Sequence, residues 1–354
     1  MTTSLTTTKP RQVETFSSPT DRRVVVAHGG GGELTARLIR EHFLPHLGNE
    51  YLEPLTDAAC VPWSAGQVVF TTDSYVVTPL EFPGGDIGRL AIVGTVNDLA
   101  VMGAEPIAIS LGIIMEEGLP LDTLDRVIAS IARACRESDV RVVTGDTKVI
   151  ERRTGDGLFI NTAGIGRLIE GVRLGMGRIE SGDVIIVSGT IAEHGLTVMS
   201  RRAGIEFDSD LQSDAAPLNQ LVRSMLNSGA DIRFMRDATR GGIAGVLADI
   251  SETRGVSIEL TEAHIPISAT AHHAAEMLGL DPLNVANEGK LICVVAAVDA
   301  DRLLHVMKKH PLGRRAAIIG LVTNAQPPLV ELITPSGGRR IVQRPYGEEL
   351  PRIC

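Results

Sequence analysis

Between Gly85 and Gly103 the chain reads GDIGRLAIVGTVNDLAVMG, a helix-length run that is apolar on almost every side. A helix without a polar face belongs between two layers rather than on a surface. This stretch therefore dictates a fold with a buried helix, closed by Gly103. It also sets a chemical problem, because Asn97 and Asp98 interrupt the apolar pattern. A carboxylate taken into an apolar interior is costly unless a cation or several donors offset it. At Asp98 one or the other is expected.

Strands and helices alternate around that run. QVVFTTDSYVV, EPIAISLGIIM, VRVVTGDTKVI and LFINTAGIGRLI read as strands, and PLDTLDRVIASIARACRESD as a helix entered through a proline. Upstream, a strand RVVVAH runs into Gly29, Gly30, Gly31 and Gly32 and then a helical pattern, ELTARLIREHFLPHL. The polar, Gly-rich stretch EGVRLGMGRIESGD near 170–182 reads as a boundary. Beyond it come a strand VIIVSG, a helix HGLTVMSRRAG, a helix after RDATRGG and a strand KLICVVAAV. A helix DADRLLHVMKKH, a strand AAIIGLVT and a hairpin turning at Gly337-Gly338 complete the order. The pattern predicts an α/β two-domain chain of α+β class, with domains over 23–170 and 171–342. A Thr- and Ser-rich disordered leader over 1–22 and an extended tail over 343–354 flank them.

The net charge of −9 excludes a nucleic-acid binder, whose partner demands a basic face. It leaves room for a single nucleotide, which needs only a local cradle and a metal. The N-terminal stretch lacks the apolar core of a signal peptide, and the longest apolar run, PIAISLGIIM, is too short to cross a membrane. A cytoplasmic protein with free thiols is expected.

Several groups carry chemistry. The four glycines Gly29–Gly32, between a strand and a helix, offer bare N–H groups to an anion, though a flexible linker reads equally well. Asp73, Asp86 and Asp146 fall at strand ends or helix starts, where each taken singly also reads as a cap. Together with Asp98 they suit a shared Mg²⁺, which prefers oxygen ligands and substrate phosphates. RDATRGG places Asp237, Thr239 and Arg240 before paired glycines, a pattern for phosphate oxygens or an ordinary cap. Glu288 sits in VANEGKL, at a turn or a site. Cys135 and Cys293 follow core periodicity, Cys60 is ambiguous, and Cys354, the last residue, belongs to no periodic element.

HGGGG, the run from Thr71 to Pro106, VTGDTKVI, RDATRGG, NEGKL and the terminal PRIC together resemble the family of aminoimidazole ribonucleotide synthetase, selenophosphate synthetase and thiamine-phosphate kinase, over residues 28–354. PRIC points within it to the carbamoyl dehydratases of hydrogenase maturation. The resemblance implies an aminoimidazole ribonucleotide synthetase-like fold. Its N-terminal sheet domain binds ATP and dimerises, and a C-terminal α+β domain closes the cleft. It implies ATP-dependent dehydration of an S-carbamoyl group on Cys354 to a thiocyanate, which supplies cyanide to [NiFe]-hydrogenase iron. The implied partners are the carbamoyltransferase HypF, a HypC–HypD complex and a second copy of the chain.

Carried onto this sequence, Asp73, Asp98, Asp146 and Asp237 hold Mg²⁺. Gly29–Gly32, Asn97, Thr147, Thr239 and Arg240 bind ATP, while Lys148 and Glu288 act with Cys354 in catalysis. Two other readings stay open: another phosphotransferase of the superfamily, or a nucleotide-gated metallochaperone scaffold. Against a selenide phosphotransferase, residues 1–50 contain no cysteine.

Overall fold

A computed structural model describes residues 23–25, 37–50, 53, 67–152, 157–205, 211–343 and 353–354. The expected leader, the Gly29–Gly32 loop and Cys60 lie outside the described residues.

The first half contains β1 (Val68–Tyr75), α1 (Ile87–Val101), β2 (Ala104–Glu116), α2 (Leu121–Ser138), β3 (Arg141–Ile150) and β4 (Leu158–Leu168). Their sheet runs β1-β4-β2-β3. β4 pairs antiparallel with both β1 and β2, whereas β2 and β3 are parallel and use α2 as their crossover. The apolar run is α1, and of its residues only Arg89 and Asp98 escape full burial. It packs on the sheet, on α2 and on the second half of the chain, so it does lie between layers. Asp86 is its cap, accepting the Arg89 N–H at 2.9 Å. Gly103 follows it with φ +78°, where a Cβ would meet Val172 at 2.5 Å.

Helices cover one face of this sheet. Among the described residues nothing covers the other, on which the exposed side chains of Val68, Phe70, Ile114 and Ile150 stand.

The second half contains β5 (Val184–Val187), α3 (Glu193–Arg202), α4 (Asn219–Leu226), β6 (Ile232–Asp237), α5 (Gly242–Arg254) and β7 (Ser257–Thr261). It continues through α6 (Ala269–Leu278), β8 (Leu291–Val295), α7 (Ala300–Lys309), β9 (Ala317–Thr323), β10 (Val330–Ile333) and β11 (Arg339–Val342). Its sheet runs β11-β10-β7-β9-β5-β8-β6. β8 is buried along its whole length, which is why LICVV shows no alternation, and it carries Cys293 into the core. Cys135 is likewise buried. Among the described residues no helix is long and apolar enough to cross a membrane.

Candidate active site

The site begins on β1. Alternation along the strand turns Thr71, Asp73 and Tyr75 toward α1. There the Thr71 hydroxyl donates to Asp98 Oδ2 at 2.8 Å, and the Tyr75 hydroxyl donates to Asp73 Oδ2 at 3.2 Å. The close approach depends on Gly94, since a Cβ there would lie 2.2 Å from Tyr75 Oη.

Facing them, β6 ends at Asp237, and the chain turns through Thr239 and Arg240 into α5. Gly241 and Gly242 take φ +81° and +59° in that turn. A Cβ on Gly242 would meet the Leu283 carbonyl at 2.3 Å, so no other residue fits the turn. The Asn287–Lys290 loop supplies Glu288. Its backbone N–H donates to Asp214 Oδ1 at 3.0 Å, and Lys290 Nζ donates to Asp214 Oδ2 at 2.9 Å. Gly289 lets this loop pack, because a Cβ there would meet the Asp214 carbonyl at 2.0 Å.

These elements frame a small cleft that Asp73, Asp98, Asp237, Arg240, Glu288 and Cys354 line, with Thr239 beside them. Burial, and then the charge of Asp73, push the Asp98 carboxyl up to about 6. Burial, and then Asp98 and Asp73, push Asp237 up to about 7. Glu288 is 2% exposed, and burial followed by Asp237 and Asp214 raises it well above the usual carboxylate range. Among the described residues its Oε1 has no hydrogen-bond partner. The acids thus crowd together with too little positive charge, an arrangement that fits a divalent cation and the phosphates it accompanies.

The end of the chain enters this cleft. Ile353 is 2% exposed, and its carbonyl accepts a hydrogen bond from His194 Nε2 at 2.8 Å. Cys354 then lies beside Glu288 at the cleft. Burial, and then the Glu288 charge, raise the thiol well above its ordinary pKa, while Arg240 pulls it the other way.

The fold therefore gathers Asp73, Asp98, Asp237, Thr239, Arg240, Glu288 and Cys354. It does not bring Asp146, Thr147 or Lys148 to them within one chain. Those residues lie on β3, with β2 and β4 between them and β1. At about 4.8 Å per strand that is roughly 14 Å from Asp73.

Asn97 sits where the two halves of the chain meet. It is 1% exposed, and its Nδ2 donates to the Ala216 and Glu288 carbonyls at 3.2 and 3.3 Å. Its Oδ1 accepts from the Leu218 N–H at 2.7 Å. The side chain thus fastens α1 to the second half. Among the described residues no group of His, Cys, Asp or Glu forms a ready-made metal cage.

Sequence reasoning missed Tyr75, His194, Asp214 and Lys290. Each works through contacts with segments remote in sequence, which spacing does not reveal.

The AIR synthase related protein N-terminal domain matches residues 55–168, and the corresponding C-terminal domain matches residues 180–331. The carbamoyl dehydratase HypE of Azotobacter vinelandii is 47% identical over 331 residues, covering 94% of this chain and 97% of its own. A crystal structure of hydrogenase maturation protein HypE in complex with ATP superposes with a TM-score of 0.89 at 42% identity, covering 93% of this chain and 99% of that one. A HypE–HypF complex gives 0.76 at 44% identity, covering 87% and 99%. The chain belongs to the family of the carbamoyl dehydratase HypE, the hydrogenase-maturation branch of the AIR synthase-related fold.

Proposed function

We propose that this chain uses ATP to dehydrate an S-carbamoyl group on its own Cys354 to a thiocyanate. The observation that carries the reading is the seat of the terminal thiol, inside an acidic cleft and against Glu288. A group S–C(=O)–NH₂ does not expel oxide. Transfer of the γ-phosphoryl group of ATP to its oxygen, with loss of one N–H proton, gives ADP and S–C(OPO₃²⁻)=NH. Cleavage of the C–O bond then expels phosphate, the second N–H proton departs, and S–C≡N remains. The elements of water leave within the phosphate.

Glu288 is assigned as base for the N–H protons, because its raised pKa makes its carboxylate a stronger base than an exposed glutamate. Arg240 and Thr239 face the same space from the α5 turn and are assigned to the phosphates, with the Gly29–Gly32 loop. Binding of ATP by a relative supports the nucleotide. Asp73, Asp98 and Asp237 are assigned to Mg²⁺, with phosphate oxygens completing its ligands. Bound there, the ion would neutralise charge on the phosphate oxygens.

Asp146, Thr147 and Lys148 are assigned to the same site across a homodimer. β1 and β3 are the two edges of the first sheet, and Phe70, 66% exposed, leads an uncovered apolar face. Pairing β3 of one protomer with β1 of another at both edges would close the two sheets on each other, with their open faces turned inward. It would carry Asp146 and Lys148 to the strand that bears the partner subunit's Asp73, where Lys148 is assigned to steer the phosphoryl group or the carbamoyl oxygen. HypF, which forms a complex with a relative, is the expected carbamoyl donor, and iron held by HypC–HypD the expected cyanide acceptor.

Mass spectrometry of the terminal peptide after carbamoylation tests the reaction. With ATP, Cys354 should lose the mass of one water, and without ATP it should not. A carbamoyl mass that persists with ATP sinks the reading.

A further inference from the structure

We propose that His194 is a positioning residue for Cys354, docking the tail by its backbone and linking that docking to the placement of Glu288. The inference rests on the reading of Cys354 as a substrate carrier.

His194 lies in the first turn of α3 and is wholly buried. Its Nε2 lies 2.8 Å from the Ile353 carbonyl and its Nδ1 2.8 Å from Ser213 Oγ. A carbonyl can only accept, so Nε2 carries the proton and Nδ1 receives the Ser213 hydroxyl. The Ser213 Oγ also accepts the Ala215 N–H at 3.2 Å. The Phe82 ring meets the imidazole edge-on at 5.4 Å, which fixes its plane. Every polar atom of the ring is thereby committed, and one of them to the tail.

The same short segment reaches the base. Ser213 holds His194 and, through its N–H, the Pro83 carbonyl of the first half at 2.9 Å. Its neighbour Asp214 anchors the Glu288 N–H and Lys290. Tail docking and base placement therefore share one dipeptide. His194 holds the residue before the thiol and lines no part of the cleft, so it acts through Cys354. A slip of one residue would move the tail by up to about 3.6 Å and carry the thiol off Glu288.

The test uses the full chain with His194→Leu and His194→Gln, the latter placing an amide N–H near the position of Nε2. Two rates are read: alkylation of Cys354 by iodoacetamide without ATP, followed on the terminal peptide, and single-turnover dehydration of carbamoyl-loaded protein. His194→Leu should speed alkylation about tenfold and slow dehydration about tenfold, the scale of one lost hydrogen bond, at unchanged ATP affinity. His194→Gln should restore both rates to within about threefold. If the Leu variant does not fold, Ser213→Ala should shift both rates in the same directions by about threefold. Parental alkylation rates in the folded Leu or Ala variant would overturn the proposal. So would a Gln variant that behaves like Leu. Alkylation needs no turnover, so a failed dehydratase reading would leave the expected alkylation changes intact, while failed docking would not.

Discussion

Glu288 combines a buried, unbonded carboxylate oxygen with a direct contact to the thiol. Glu288→Gln keeps the shape and removes the base. It should slow dehydration of carbamoyl-loaded Cys354 at least about a hundredfold while ATP still binds. Single-turnover mass spectrometry with parallel calorimetry reads both, and a rate within a few-fold of the parent would remove Glu288 from the role. Asp98 and Asp237 make a second prediction. Their folded pKa values of about 6 and about 7 lie above the ordinary 3.8. The stability they contribute is full below the unfolded value and is lost as pH rises through the folded ones. Without ligand, the melting temperature should therefore fall between about pH 4 and pH 8, and Asp237→Asn should flatten that fall. Millimolar Mg²⁺ should raise the melting temperature more at pH 8 than at pH 5, because it binds the ionised pair. A uniform effect of Mg²⁺ across that range would argue against these carboxylates as its ligands. Asp73 and Asp237 lie near strand ends, Asp98 interrupts an apolar helix and Glu288 sits in a turn, so each stood out in the sequence. Asn97 marks a limit of the sequence: an amide inside an apolar helix signals a buried partner without saying whether that partner is ligand or backbone.

At the scale of the element, α1 holds a glycine where alanine would favour the helix by about 1 kcal/mol. Gly94 is nevertheless needed, because Tyr75 Oη occupies the place of a Cβ at 2.2 Å. Gly94→Ala should displace Tyr75 from Asp73 and destabilise the fold by about 1–3 kcal/mol in urea unfolding, despite the gain in propensity. Equal or greater stability would mean that the ring moves away without cost. The helix itself was plain in the sequence, since a run apolar on all sides can only be interior. β6 and β7 were not. IRFMRD and SIELT are short and carry charges, and they form strands because β8, β9 and β10 lie beside them. α6 was equally faint, since its buried residues are only Ala271, Ala274 and Ala275. VTGDTKVI shows the converse: its chemistry was readable, but its distance from Asp73 depends on strand order, which the local pattern does not contain.

For the whole molecule, a site divided between two protomers makes a quantitative prediction. Neither an Asp73→Asn nor a Lys148→Ala protein should dehydrate Cys354 alone. Mixed dimers contain one intact site and one doubly altered site, so random exchange should recover about a quarter of the parental activity. A site complete within one chain would recover nothing. The division into two sheets followed from the order of elements, whereas the exposed apolar face around Phe70 shows only in the structure. The hydrogen bond from His194 to the Ile353 carbonyl has a consequence of its own. A carrier that arrives loaded, is altered in place and leaves transformed cannot be recognised by its cargo, because the cargo changes between entry and exit. Gripping the main chain one residue upstream makes the berth indifferent to what the sulfur bears. Thiol, carbamoyl and cyano forms can then all moor at the same point, and the direction of traffic is left to ATP and to the partners outside.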